Sequence, residues 1–172
     1  MASGVLIGLG HLELGGWAIV AGGICDILDG RIARSLKLTS LYGGFIDSTL
    51  DRFVEVFVFL GFAVHLRGFA VGPFVVTAAL AGSLLVSYTR ARGEALGVLC
   101  KEGLMQRAER LVLTSLVCLS DPSLSAWFDL APGTPSLWVL GAIALGTLGT
   151  AAHRTVWISR QLRAKDRSQR AG

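Results

Sequence analysis

Stretches of roughly 20 predominantly apolar residues recur five times along this chain, at 12–34, 44–66, 72–98, 105–120 and 136–158. Windows of that kind have the length a helix needs to cross the hydrocarbon layer of a bilayer, and a helix satisfies its own backbone polar groups there. Residues 1–10 read as the tail end of another span. The expected fold is therefore an all-α integral membrane protein: a helical bundle of five full spans plus an N-terminal fragment of a first one. Composition agrees, since 52% of the residues are apolar and only 16% are charged. A soluble domain of this size would carry charge over a quarter or more of its surface.

The connectors carry turn chemistry, with "RGFAVGP" at 67–73, "GVLCKEG" at 97–103 and "SDPSLSAWFDLAPGTPS" at 120–136. Residues 1–158 read as one transmembrane domain and 159–172 as a basic cytosolic tail, frayed and drawn to anionic headgroups. The opening residues have no basic n-region, so no signal peptide is expected. Cys25, Cys100 and Cys118 show no CxxC spacing and read as small buried residues.

Basic residues set the orientation. Arg31, Arg34 and Lys37 follow the first full span, Arg90, Arg92, Lys101, Arg107 and Arg110 surround the join of the third and fourth, and Arg154 to Arg170 crowd the end of the last. If the spans alternate, all of these lie on one side, and the other side has only Arg67 with Asp121 and Asp129. The basic side is expected to face the cytoplasm, with no nucleic-acid partner.

Against this apolar background stand four acids, Asp26, Asp29, Asp47 and Asp51. Residues three and four apart share a helix face, so Asp26 and Asp29 project together, as do Asp47 and Asp51. The short connection between their spans predicts antiparallel neighbours, which would bring the four carboxylates to one depth. An ionised aspartate at a span's centre costs about 2.5–3.5 kcal/mol, and mutual repulsion adds to that. Hard divalent cations, Mg²⁺ or Mn²⁺, are the usual remedy, and two ions would neutralise the set. The plainer alternative is interfacial pairing with Arg31, Arg34 and Arg52. Gly30, Ala33 and Gly43 would keep the helix surfaces bare where a ligand approaches, although glycines in spans also serve packing.

These residues carry a resemblance. Asp26, Asp29, Gly30, Ala33 and Arg34, then a spacer, then Gly43, Asp47 and Asp51 match the D-x-x-D-G-x-x-A-R and G-x-x-x-D-x-x-x-D signature of the CDP-alcohol phosphotransferases at every fixed position. The chain is similar to members of that family over most of its length. The resemblance implies six-span homodimers that displace CMP from a CDP-linked lipid such as CDP-diacylglycerol and join the phosphatidyl group to an alcohol. It implies Asp26, Asp29 and Asp47 as main ligands of two divalent ions and Asp51 as the general base, which also touches a metal. It implies a nucleotide site at Gly30, Ala33, Arg34 and Gly43. Members usually begin with an amphipathic surface helix and a complete first span, and this chain has neither.

Arg90, Arg92, Arg107, Arg110 and Arg154 come from three further spans at the same depth. Single arginines at helix ends are ordinary anchors. As a group they predict a basic pocket for a phosphorylated acceptor, because guanidinium groups match phosphate with paired donors. The segments resemble those of phosphatidylinositol-phosphate synthases, which use inositol phosphate. That branch commonly reads E-R-P-E-R where this chain has Gln106-Arg107-Ala108-Glu109-Arg110, so glycerol 3-phosphate stays open as the competing acceptor. Two other classes use intramembrane acids, the Asp-rich prenyltransferases and divalent-cation transporters. The first lacks the Asp-Gly-x-x-Ala-Arg offset, and the second leaves the arginines without a purpose.

Overall fold

The computed structural model describes residues 1–35, 40–100 and 103–171, with side chains at all of these except 33, 34, 170 and 171. Among the described residues the chain is all-helical: α1 Ala2–Gly8, α2 Leu12–Ser35, α3 Leu41–His65, α4 Gly72–Ala95, α5 Arg107–Trp127 and α6 Thr134–Ala171, with a 3₁₀ turn at Leu66–Gly68. Of these, α4 and the Thr134–Gln169 part of α6 are long and apolar enough to cross a membrane by length and composition.

Local chemistry sets the helix starts. Ser40 takes an extended backbone and its Oγ accepts from the Gly43 N–H at 3.0 Å, capping α3. Pro73 sits in the first turn of α4, where its missing N–H is no loss. Close approach between helices is made by glycine. A Cβ at Gly4 of α1 would collide with the Phe57 carbonyl of α3, and one at Gly61 would collide with Gly4 in return. Gly16 does the same for α2 on α5, where a Cβ would lie 2.9 Å from that of Cys118. Such small-residue contacts let helices pack where lipid supplies no hydrophobic drive.

The core fills one half of the bundle. Ile7, Leu12, Phe59, Phe62, Leu66, Val76, Cys118, Leu140 and Ile143 form it, drawn from the start of α2, the end of α3, the start of α4, the end of α5 and the start of α6. Two buried hydroxyls inside the bundle bond back to their own helices, Thr114 to the Arg110 carbonyl and Thr147 to that of Ile143, both at 2.7 Å. The opposite half, with the end of α2 and the start of α3, is open. All four aspartates lie there.

Three expectations are corrected. First, α2 and α3 do not pack along their lengths: α2 packs on α5 and α1, and α3 packs on α1 and α4. The short α1 is wedged between them at the closed end, so the two acidic helices splay into a cleft. Second, the 120–136 connector is helical at its start, since α5 runs through Pro122 to Trp127. The Asp121 carboxylate next to this proline ties the segment to the start of α6 through the Ser136 N–H at 2.8 Å and its Oγ at 2.6 Å. Third, the tail expected to fray continues α6 without a break to Ala171. Its Ala, Arg, Lys and Gln residues are good helix formers, and Lys165 Nζ donates to the Gly97 carbonyl at 2.6 Å.

Candidate metal and phosphate site

Asp26 from α2 and Asp47 and Asp51 from α3 each bring a carboxylate oxygen within 4.8 Å of the others. Asp29, one turn beyond Asp26, is exposed and lines the same cleft of about 390 Å³, with its carboxylate outside that triplet. Hard oxygens at this spacing fit a hard divalent cation of the Mg²⁺ or Mn²⁺ kind. Of the expected nucleotide residues, Gly30 is half-buried just past Asp29, and Gly43 is exposed with its N–H donated to Ser40. The side chains of Ala33 and Arg34 lie outside the described residues, as does Lys37.

Two of the aspartates, Asp26 and Asp51, share a close partner that is distant in sequence. Arg107, at the start of α5, spans the cleft: Nη1 donates to Asp26 Oδ2 at 2.9 Å and Nη2 to Asp51 Oδ1. Arg52 stays at the margin, 4.0 Å from Asp51 and 3.7 Å from Glu55, with Nη1 donating to Ser87 Oγ. One turn deeper, Arg110 pairs with Glu55 through Nε at 2.7 Å and Nη2 at 2.6 Å. Arg31 is exposed.

Beside the acids opens a cavity of about 900 Å³ between α3, α4, α5 and α6, lined by Arg52, Arg90, Arg107, Arg110 and Arg154 against the acids Asp51, Glu94 and Glu109. Arg154 is buried and donates from Nη1 to the Val86 carbonyl at 3.0 Å. Gly103, at φ +141°, packs against α6 beside it, where a Cβ would lie 2.5 Å from the Thr150 methyl and 3.3 Å from the guanidinium. Arg90 is exposed and paired with Glu94 at 2.9 Å. Four of the five arginines grouped from sequence thus meet in one cavity. Arg92 is exposed and does not line it.

Two contributors were missed. Arg52 read from sequence only as a salt-bridge partner, although its position beside Asp51 places it about 100° round α3, toward α4. Glu55, four residues past Asp51, lies on the same face of α3, and its partner Arg110 is 55 positions away. A third cavity, an apolar groove of about 460 Å³ between α2 and α5, is walled by residues such as Ile24, Ile27, Leu111 and Val112 and ends on Asp26 and Arg107.

The described site can do three things. It can hold hard cations on three carboxylates, receive an anion among arginines on one side, and accept an apolar chain on the other.

Comparison with known proteins points the same way. Residues 2–120 match the family model described as CDP-alcohol phosphatidyltransferase. The chain is 38% identical to the archaetidylinositol phosphate synthase of Methanothermobacter thermautotrophicus, over 69% of this chain and 60% of that protein. It is 39% identical to the phosphatidylinositol phosphate synthase of Streptomyces avermitilis, over 79% of this chain and 57% of that one. The chain therefore spans less than two thirds of the length of these curated relatives. Its fold superposes on crystal structures of the Mycobacterium tuberculosis phosphatidylinositol phosphate synthase, one with CDP-DAG bound and one with manganese and citrate, at TM-score 0.78 and 26% identity. The superposition covers 91% of this chain and 79% and 75% of those two chains.

Proposed function

The chain belongs to the CDP-alcohol phosphatidyltransferase family, and on that premise we propose that it transfers a phosphatidyl-type group from a CDP-linked lipid to inositol phosphate with release of CMP. The observation that carries this reading is the triplet Asp26, Asp47 and Asp51, whose Asp51 also lines a cavity with five arginines. One side suits cations with a diphosphate, and the other suits the phosphate of an acceptor.

Asp26, Asp47 and Asp51 would hold the divalent ions, with Asp29 completing the set from the same cleft. Such ions, when bound, neutralise the diphosphate oxygens and the charge that develops as CMP leaves. Asp51 borders both the acid cleft and the arginine cavity, which supports reading it as the base that takes the proton of the acceptor hydroxyl. Its work rests on position, since a carboxylate close to cations is a weak base. Gly30, Ala33, Arg34 and Gly43 would receive the nucleotide, as the family signature indicates. Arg52, Arg90, Arg107, Arg110 and Arg154 would orient the acceptor through its phosphate. The apolar groove between α2 and α5 suits the donor's hydrocarbon chain, and its end on Asp26 would deliver the diphosphate to the acids.

In this reading α2 to α6 cross the cytoplasmic membrane of a prokaryote, the active site faces the cytoplasm, and the chain works as a homodimer. The excess of arginine at the open end supports the orientation. The names of the relatives support inositol phosphate as acceptor, with glycerol 3-phosphate as the alternative. The test is CMP release by the purified protein in lipid nanodiscs from CDP-diacylglycerol, with inositol 1-phosphate, glycerol 3-phosphate and serine offered separately. Fastest release with inositol 1-phosphate is expected. Preference for glycerol 3-phosphate would reassign the acceptor, and no CMP with any of them would reject the transferase reading.

A further inference from the structure

Arg107 borders all three cavities: the acid cleft, the apolar groove and the arginine-lined chamber. Its guanidinium bridges Asp26 Oδ2 and Asp51 Oδ1, two of the three carboxylates that can share a cation. A guanidinium in that place and a divalent ion on the same two carboxylates compete, because both draw on the same negative charge and the two cations repel.

How firmly the arginine is held decides which of the two yields. The Arg107 side chain is 35% exposed, against 34% for Asp26 and 14% for Asp51. Water therefore screens the Asp26 contact more than the Asp51 contact and can solvate the guanidinium as it leaves. One turn deeper, the Arg110 and Glu55 side chains are 3% and 10% exposed, which keeps the start of α5 fixed against α3. Arg107 can thus move by side-chain rotation with the helix in place. The chamber it would turn into already contains Arg52, Arg90, Arg110 and Arg154. Even with Glu94 and Glu109 in its lining, arginine is in excess there, which favours leaving the guanidinium on the aspartates until an anion enters.

We propose that Arg107 is a displaceable counter-ion joining the two halves of the site. A divalent cation on Asp26 and Asp51 expels it, and the freed guanidinium completes the anion set of the arginine chamber, so cation and acceptor phosphate bind with positive cooperativity. This rests on the metal and phosphate assignments made above. Reciprocity then follows: if the cation tightens phosphate binding, phosphate tightens cation binding by the same factor.

The experiment is Mn²⁺ titration followed by electron paramagnetic resonance, on the full chain in lipid nanodiscs without CDP-lipid. Wild type, Arg107→Ala and Arg160→Ala are compared with and without inositol 1-phosphate. Removing Arg107 should tighten Mn²⁺ binding about fivefold, the scale of a half-exposed ion pair. Removing Arg160, an exposed charge far along α6, should leave it unchanged. Inositol 1-phosphate should tighten Mn²⁺ binding in wild type and have no such effect in Arg107→Ala. Should that variant not fold, Arg107→Lys, which keeps the charge but lacks the rigid two-pronged fork of the guanidinium, should show a smaller gain of the same sign. Mn²⁺ bound equally or more weakly without the guanidinium would reject the counter-ion role and leave the metal site standing. No bound Mn²⁺ in any of the proteins would reject the metal assignment itself.

Discussion

Arg110 Nε donates to Glu55 Oε1 at 2.7 Å one helical turn from the place where Arg107 bridges Asp51 and Asp26. The two contacts form consecutive rungs between α3 and α5, helices that do not pack along their lengths. Charge, in place of apolar contact, therefore sets the width of the active cleft.

The deeper rung should be worth most to stability. Its members are nearly out of water, so removing one charge strands the other. Glu55→Gln is expected to cost about 3 kcal/mol. Thermal unfolding in detergent reads this, and the double variant Glu55→Gln/Arg110→Gln should cost less than the sum of its singles. Strict additivity would mean that the pair contributes nothing as a pair.

Asp51 is expected to matter to chemistry and little to donor binding. Asp51→Asn keeps the shape but cannot take a proton, and transfer should fall at least about a hundredfold. Binding of CDP-diacylglycerol should persist in a direct binding assay. Turnover close to wild type would remove Asp51 from the base role.

Chelation should abolish activity, with Mn²⁺ or Mg²⁺ restoring it, because three carboxylates converging within 4.8 Å suit hard cations. CMP release in excess chelator at the untreated rate would contradict the site's basic electrostatics.

The arginines should separate by position. Arg52 lines the chamber, so Arg52→Ala is expected to raise the acceptor KM about tenfold while leaving that of the CDP-lipid near its original value. Arg92 does not line it, and Arg92→Ala should shift the acceptor KM by less than about twofold. Equal effects at the two positions would mean that overall charge, and not placement, attracts the acceptor.

The division between what was legible and what was not follows from how each contact is built. The acids of each helix share a face because of their spacing alone, so their approach could be read from residue order. Helix starts at Ser40 and Pro73 follow from local chemistry. By contrast, the partner of Asp26 is 81 positions away and depends on the rotation of α5 about its axis, which is fixed where Gly16 admits Cys118. The splaying of α2 from α3 depends on a seven-residue wedge that looked like the remainder of a span. Arg92 and Arg90 differ by two positions and hence by about 200° round α4, which the charge pattern does not show.

Asp121 offers a test at the other end of the molecule. It is 1% exposed on α5, about 21 Å along that helix from Arg107 at 1.5 Å per residue. Its carboxylate accepts from the Ser125 hydroxyl at 3.2 Å, the Gly133 N–H at 3.1 Å, the Ser136 N–H at 2.8 Å and the Ser136 hydroxyl at 2.6 Å. The negative charge also faces the amino end of α6, where the helix dipole favours it. A side chain on α5 therefore caps α6 and closes the turn between them. Asp121→Ala would leave several buried donors without an acceptor, and the expected cost is about 3 kcal/mol. Because the core stands between this cap and the cleft, the protein that remains folded should release CMP at the wild-type rate per molecule. A lowered unfolding temperature with unchanged specific activity is the expected pair of results. Lost activity at undiminished stability would show that the α5–α6 turn acts on the site itself.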